Sequence, residues 1–475
     1  MKTKLIFLLL TLFGYLSINA QKTKLEVIKA IDSKYDQYSA IANKIWEYAE
    51  VGFQETQSSA LLQETLSKAG FKIESGVAGM PTAFIATYGS GKPIIGILGE
   101  FDALPGISQE AVPEVKPISN QKAGHACGHH LFGTASAAAA IEVKNWLVAN
   151  KRQGTIRFYG TPAEEGGSGK VYMVRDGLFQ DVDAVLNWHP WDSNTAGWET
   201  SLSNKNGKFR FYGAASHASV SPERGRSALD AVEAMNYMVN MMREHVTDAT
   251  RIHYVITRGG EAPNVVPAFA EVYYYVRHPN PAEVKSVWER VVKAADGAAL
   301  GTDTKMKYEV MGGVYNMLPS ESLARIMNAN LRLVGGYPFT ENENVFGKKI
   351  QESFTGSIPK LETTNEISEF KEMKSGGSTD VADISWMVPT TGLMTATWVP
   401  GTTAHSWQAV AAGGMSIGHK GMIVAAKTMA LTAIDLYNSP TTIEECWKEM
   451  RKRRGENFKY EALIGDRKPA LDYRK

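Results

Sequence analysis

The stretch Pro93-Ile94-Ile95-Gly96-Ile97-Leu98 is apolar from end to end. A strand that is covered on both faces has this composition, because neither side of it meets water. Outward from this stretch, the pattern predicts further strands at 82–88, 155–159, 184–188 and 394–398 and helices at 131–149, 170–176 and 416–437. This alternation predicts an α/β fold with a mixed sheet.

The pattern changes between residues 205 and 312, where it predicts strand, helix, strand, strand, helix and strand. That order is typical of the ferredoxin-like split motif, so we expect a compact domain inserted into the α/β domain. The predicted division of the chain is 1–20, 21–204, 205–312 and 313–475, with the second and fourth segments forming one domain.

The first twenty residues have the pattern of a secretory signal. Lys2 and Lys4 precede an apolar run over 5–16, which ends in Ser17-Ile18-Asn19-Ala20. We therefore expect cleavage after Ala20 and export to the periplasm or the medium. An uncleaved anchor is the alternative, although the apolar run is shorter than the roughly 20 residues that span a bilayer.

The charge balance argues against nucleic acid and anionic membranes as partners. The chain has 51 Lys and Arg against 50 Asp and Glu over 475 residues, so no net field attracts a polyanion. A small-molecule substrate is favoured.

The heptapeptide Gly124-His125-Ala126-Cys127-Gly128-His129-His130 places a thiol among three imidazoles. These are the ligands that zinc and its first-row neighbours prefer. The alternative is a polar turn at the start of the helix over 131–149. Export would also permit a disulfide between Cys127 and Cys446, but the histidines around Cys127 favour a metal site.

Further ligand-type side chains follow the predicted strands. Glu164 and Glu165 come after the strand over 155–159, His189 stands at the end of the next strand, and His405 lies in a late turn. Ligands bind at the carboxyl ends of strands in open α/β sheets. Adjacent carboxylates are often idle and a lone histidine is often structural, but their shared position favours a site for two metal ions.

Several motifs, in this order along the chain, resemble one known family, the metal-dependent peptidases and amidohydrolases of the aminoacylase and glutamate carboxypeptidase group. Within it, the chain is similar to the thiol-containing subfamily with a GHxCGH motif, which includes hydrolases of auxin conjugates and other N-acyl amino acids. The matching segments are 124–129, 162–167, 173–177, 188–190, 378–381, His405 and 418–421.

The resemblance implies the roles of the site residues. It assigns Cys127, His129, Glu165, His189 and His405 as metal ligands, and Glu164 as the general base that takes a proton from a metal-activated water. It implies a divalent metal, as two ions per subunit, with zinc or manganese expected and cobalt or nickel as alternatives.

Two residues depart from the family pattern or extend it. Asp102 lies in Glu100-Phe101-Asp102, where a zinc carboxypeptidase would have His-x-Asp, and we expect it to orient a ligand rather than bind metal. His130 follows the GHxCGH motif; we expect it to support the ligands from behind, with a sixth ligand as the alternative. Asp380 and Asp383 either line the site or cap the following helix.

The inserted segment carries candidates of its own. The resemblance implies that it is a lid that mediates dimerisation, and that His217 and Asn264 bind substrate or stabilise the oxyanion, with the histidine reaching into the partner subunit's site. Arg277 resembles a residue that binds a substrate carboxylate with two hydrogen bonds.

The expected function is hydrolysis of the amide bond of an N-acyl or aroyl amino acid, of the p-aminobenzoyl-glutamate type. The alternatives are a dipeptidase or carboxypeptidase on the same scaffold, and a chain that needs a second polypeptide in a two-chain hydrolase.

Overall fold

The structure is a computed structural model that describes residues 23–474. The predicted secretory signal at 1–20 therefore lies outside the described residues. Within 23–474, every helix is either too short or too polar to cross a membrane.

A six-stranded mixed sheet, here called the large sheet, forms the centre of the α/β part. Its strands lie in the order Lys72–Ser75, Phe84–Ser90, Gly154–Gly160, Ile94–Gly99, Ala184–Trp191 and Thr390–Ala396. The last four are mutually parallel, and the first two run antiparallel at one edge. The mixed α/β prediction is therefore confirmed.

The apolar stretch of the sequence is the central strand Ile94–Gly99, in which every residue is buried. Two long helices, His129–Ala149 and Ser416–Asn438, pack against each other and are buried along most of their length. The other α-helices of this part are 23–32, Tyr35–Tyr48, Thr56–Lys68, the single turn Glu164–Gly167, Gly169–Arg175, Glu321–Val334, Glu341–Gln351, Val381–Ser385, Trp407–Gly413 and Pro440–Arg454.

A second sheet, here called the small sheet, has four antiparallel strands. They lie in the order Arg251–Arg258, Phe269–His278, Ser203–Tyr212 and Lys305–Val314. Helices Ala228–Met242 and Pro281–Gly301 pack on it, so the order along the chain is strand, helix, strand, strand, helix, strand. The first and last strands each extend two residues beyond the segment 205–312.

The four parallel strands end at a common edge of the large sheet, here called the carboxyl edge. Glu100 directly follows one of these strands, and the turn with Glu164 and Glu165 follows another. His189 lies near the end of the third, Ala184–Trp191, rather than beyond it. The fold thus gathers segments that are distant in sequence at one place.

Candidate metal and active site

The start of helix His129–Ala149 fixes two of the predicted ligands. Gly128 has a left-handed backbone with φ of 77°, and a Cβ at this position would lie 2.6 Å from the Pro190 Cβ. Only glycine fits here, because both the conformation and the space exclude a side chain. The close approach brings Cys127 and His129 beside His189, which precedes Pro190.

The predicted ligands converge at the carboxyl edge. The Cys127 sulfur lies 3.4 Å from His189 Nε2, and His405 Nε2 lies 3.2 Å from Glu165 Oε1. Three overlapping groups have ligand atoms within 4.8 Å of one another: Cys127, His129 and His189; Cys127, Glu165 and His405; and Glu100, His129 and Glu164. The first two groups share Cys127 and together contain all five predicted ligands.

The outer nitrogens of two histidines already have acceptors. His129 Nδ1–H donates to Asp102 Oδ1 at 2.8 Å, and His189 Nδ1–H donates to the Pro190 carbonyl at 2.7 Å. Both Nε2 atoms face the cluster, as is usual for metal-binding histidines. Asp102 also accepts from the Glu165 backbone N–H at 2.9 Å, so it orients two of the predicted ligands at once.

Unsatisfied atoms at the centre of this cluster fit a cation. Glu100 Oε2, His129 Nε2 and Glu165 Oε1 are buried and make no well-aligned hydrogen bond within the described part of the chain, although Glu100 Oε2 lies 3.0 Å from His129 Nε2 and Glu165 Oε1 lies 3.2 Å from His405 Nε2. Burying such groups unsatisfied costs free energy, which a bound cation would offset. Thiolate, imidazole and carboxylate together suit a first-row divalent metal.

Burial and negative charge raise two pKa values at this site. Burial, followed by the charge of Glu165, raises the pKa of the Cys127 thiol, and a bound cation would reverse that effect. Burial, followed by the charges of Glu100 and Glu165, raises the pKa of Glu164 well above its usual range. A carboxyl group with a raised pKa is suited to receive and return a proton near neutral pH.

The turn that carries Glu164 and Glu165 has a strained backbone. Ala163 before it and Ser168 after it have φ of 57° and 56°, values that residues with a Cβ rarely adopt. Such strain persists only where the surroundings enforce it. Buried Glu55 accepts a hydrogen bond from the Ala163 N–H at 2.8 Å.

The last described residues hold the same turn from outside. Tyr473 Oη and Arg474 Nη2 donate to the Glu165 carbonyl at 3.1 and 2.7 Å. The sequence contains no signal for these contacts, because they join segments that are far apart along the chain.

A buried charged network was also missed by sequence reasoning. Lys170 Nζ lies 2.7 Å from both Glu100 Oε1 and Asp380 Oδ1, and all three side chains are almost inaccessible. Glu100 had a signal, because it is the first residue after the apolar strand. Lys170 had none. Neither Asp380 nor Asp383 caps the helix Val381–Ser385 with its side chain.

Two cavities open at this site. The larger, about 300 Å³, is here called the apolar cleft; its lining includes Cys127, His189 and His405 with Phe132, Trp188, Trp191, Met317 and Met394. The smaller, about 170 Å³, is here called the polar cleft; its lining includes Asn204, Asn206, Tyr275, Arg277, Ser378 and Thr379. Glu164, Glu165, Ser378 and Thr379 line both, so the two clefts meet at the predicted general base.

The predicted residues of the small sheet divide into two groups. Arg277 lines the polar cleft, and its Nη1 donates to Ser378 Oγ at 3.5 Å. His217 and Asn264 are exposed and lie beside each other, since the Ala218 N–H donates to the Asn264 carbonyl at 3.0 Å. Neither lines either cleft within this chain.

His130 points away from the candidate ligands. Its Nε2 donates to the Gly413 carbonyl at 3.0 Å, and its ring packs on His125. Burial, followed by the nearby His125, keeps the pKa of His130 well below its usual range, so it stays neutral. In the part of the chain that the structure describes, it belongs to none of the three candidate metal groups and has no hydrogen bond to a candidate ligand. Both cysteines are free and buried, so the Cys127–Cys446 disulfide is not formed.

A model of the peptidase family M20/M25/M40 matches residues 96–412. The chain belongs to this family. The B subunit of the p-aminobenzoyl-glutamate hydrolase of Escherichia coli is 40% identical over 448 residues, which cover 88% of this chain and 93% of that protein. The mouse Xaa-Arg dipeptidase is 28% identical, over 90% of this chain and 92% of its own.

A solved structure with the same fold is an aminobenzoyl-glutamate utilization protein from Klebsiella pneumoniae. It has a TM-score of 0.63 at 18% identity and covers 86% of this chain and 97% of its own. The family model and the 40% identical relative confirm the predicted family and an amide-bond-cleaving metallohydrolase.

Proposed function

We propose that this chain hydrolyses the amide bond of aroyl amino acids of the p-aminobenzoyl-glutamate type. The observation that carries the proposal is the junction of an apolar and a polar cleft at Glu164. An aroyl amino acid has the matching form, a flat apolar group joined by an amide to a carboxylate-bearing group. The similarity to one chain of a p-aminobenzoyl-glutamate hydrolase, over most of both proteins, supports it.

The polar cleft suits the amino acid half. Arg277 presents a guanidinium group to it, and Asn204, Asn206 and Ser378 add further hydrogen-bonding groups. Arginine binds a carboxylate with two parallel hydrogen bonds, which fixes both its position and its orientation. The aromatic half then lies in the apolar cleft, among Trp191, Met317 and Met394.

The metal would be held by Cys127, His129, Glu165, His189 and His405, as a pair of ions with zinc or manganese expected. When bound, such ions lower the pKa of water and polarise an amide carbonyl. Glu164 stands at the junction of the clefts with a raised pKa, so it can receive the proton of the attacking water and pass it to the departing amine. Asp102 keeps the His129 ring in the orientation that ligation requires.

Elemental analysis and an activity screen on the same purified preparation test this proposal. We expect bound divalent metal, hydrolysis of p-aminobenzoyl-glutamate, loss of hydrolysis on chelation, and weaker activity on a panel of dipeptides. A preparation that binds metal but cleaves only dipeptides would contradict the substrate class. It would favour the dipeptidase interpretation that the similarity to the Xaa-Arg dipeptidase suggests.

A second polypeptide is the alternative that a specific finding favours. The similar E. coli protein is the B subunit of its hydrolase, and the A subunit of the same hydrolase is 25% identical to this chain over 339 residues. Activity that appears only after a second chain of that kind is added would establish a two-chain enzyme.

We also propose that the segment 205–312 is a ferredoxin-like lid through which two copies of the chain associate. The outer strand Arg251–Arg258 has a free edge and exposes Tyr254, Val255 and Ile256, while Tyr237 and Met241 are exposed on the neighbouring helix. An exposed apolar edge strand readily pairs with another chain. The exposed position of His217 fits a role in the partner's site. Export after cleavage at Ala20 remains part of the proposal, and N-terminal sequencing of the mature protein tests it.

A further inference from the structure

Glu199 is a carboxylate in the wall of the apolar cleft that the proposed mechanism does not use. It lies on the short strand Trp198–Thr200, which pairs with Glu372–Lys374. Because side chains alternate along a strand, Glu199 and Ser201 face the cleft together, and both line it. Ser201 Oγ is already engaged, since it accepts from the Met317 N–H at 2.9 Å.

Glu199 has no partner of its own. Within residues 23–474, neither a nearby charge nor a hydrogen bond acts on its carboxyl group. Burial alone raises the pKa of Glu199 to about 7. A carboxyl group in such surroundings gains free energy from any N–H donor that enters the cleft.

The negative charge of Glu199 also determines which half of the substrate can lie next to it. A carboxylate group of the substrate would be repelled there, whereas Arg277 attracts it in the polar cleft. The acyl half in the apolar cleft is therefore the part that reaches Glu199. A plain aromatic ring would leave the carboxylate unpaired and desolvated, which disfavours that ligand.

We propose that Glu199 is a specificity-determining residue that accepts a hydrogen bond from an amino group on the acyl half of the substrate. This inference rests on the proposed function, and it narrows the substrate class to aroyl or acyl amino acids with a terminal amine. The shared chemistry is an N–H donor, which an aromatic amine and an alkylammonium group both supply. Specificity arises because an analogue without the donor covers the carboxylate and leaves it unsatisfied.

The test uses three compounds that differ only in the acyl half: p-aminobenzoyl-glutamate, benzoyl-glutamate and p-(aminomethyl)benzoyl-glutamate. The wild type, Glu199→Ala and the control Glu372→Gln are compared by kcat/KM. Glu372 is an exposed carboxylate on the paired strand, so its variant controls for charge removal nearby. Whichever amine compound the wild type prefers identifies the source of the donor.

We expect the wild type to prefer an amine-bearing compound over benzoyl-glutamate, and Glu199→Ala to lose roughly ten-fold or more on that compound alone. Benzoyl-glutamate should be cleaved equally well or better by Glu199→Ala, and Glu372→Gln should behave as the wild type. An equal loss on all three compounds, or a wild type that ignores the amine, would overturn the inference while leaving the proposed function standing.

If the wild type cleaves none of the aroyl compounds, the proposed function fails instead. Glu199 is then tested on a cleaved dipeptide against its des-amino analogue, which lacks the terminal amine and therefore its N–H donors. Selective loss on the free amine in Glu199→Ala supports the inference, and unchanged preference overturns it.

Discussion

The carboxyl edge of the large sheet and the exposed loops of the small sheet carry predicted site residues in very different surroundings. At the carboxyl edge, Cys127, His129 and Asp102 are buried and held by contacts within the chain. In the small sheet, His217 and Asn264 are exposed and lie outside both clefts. The described chain therefore gathers the proposed metal ligands at one place, whereas it leaves His217 and Asn264 away from both clefts.

The largest effect is expected for Glu164→Gln, which tests whether the carboxyl edge supplies the general base as well as the metal ligands. Glutamine keeps the size of the side chain but cannot take up a proton, so turnover should fall by about 10²–10⁴-fold. Metal content should stay unchanged, because the five proposed ligands are intact. Steady-state kinetics with elemental analysis measures both, and near-normal kcat would remove Glu164 from the role of general base.

The corresponding test of the small sheet is His217→Ala. If His217 stabilises the oxyanion in a partner subunit's site, kcat should fall by roughly 10²-fold, as for other oxyanion-stabilising groups. His245→Ala is the matched control, since His245 is an exposed histidine of the same region.

Mixing the two inactive variants then separates action within one chain from action between chains. In a mixed dimer of Glu164→Gln and His217→Ala chains, one site has both intact residues only if His217 acts in the partner's site. Recovered activity after re-association supports that arrangement. Absence of recovery, with dimers verified by light scattering, contradicts it.

Asp102→Asn tests how far metal affinity at the carboxyl edge depends on the orientation of His129 and Glu165, since this substitution leaves both ligands in place. Asparagine can accept from only one of His129 Nδ1–H and the Glu165 N–H, whereas Asp102 accepts from both. Loss of such a supporting carboxylate typically lowers metal affinity by about 10–100-fold. A metal-binding titration checks this, and an unchanged affinity would show that packing alone orients the ring.

The sequence predicted the carboxyl edge well for a physical reason. Apolar strands are recognisable from composition, and the geometry of parallel strands places the residues at or just beyond the ends of Ile94–Gly99, Gly154–Gly160 and Ala184–Trp191 at one edge. His189 was predicted at a strand end, and the strand continues to Trp191 because its alternate residues are buried.

The contacts that were missed share one feature: each depends on the packing of segments with no local pattern. In the sequence, Lys170 is an ordinary helical residue. Only the fold brings Glu100 and Asp380 into ion-pair distance of it. His130 shows the converse case. It neighbours a ligand in sequence, but the helix turns its ring toward Gly413.

Asp383 connects the α/β part to the end of the small sheet through hydrogen bonds. Its ionisation gives the smallest of the predicted effects, a change in stability with pH. It accepts from the Tyr315 N–H at 2.9 Å, just after the last strand of the small sheet, and from Tyr460 Oη at 2.7 Å. Burial raises the pKa of Asp383 to about 7 despite these hydrogen bonds. Its unfolded value is about 3.9.

Because the folded pKa lies above the unfolded one, the stability linked to Asp383 is fully present below about pH 3.9 and is lost as the pH rises through about 7. An asparagine side chain cannot ionise, so the free energy of unfolding of Asp383→Asn should decline less than that of the wild type between about pH 4 and pH 8. Denaturant unfolding at several pH values measures this difference, with Asp296→Asn on the exposed face of Pro281–Gly301 as the control. Parallel curves for the wild type and Asp383→Asn would mean that Asp383 is ionised at no cost. The hydrogen bonds from Tyr315 and Tyr460 to Asp383 would then stabilise the segment after the small sheet equally at every pH tested.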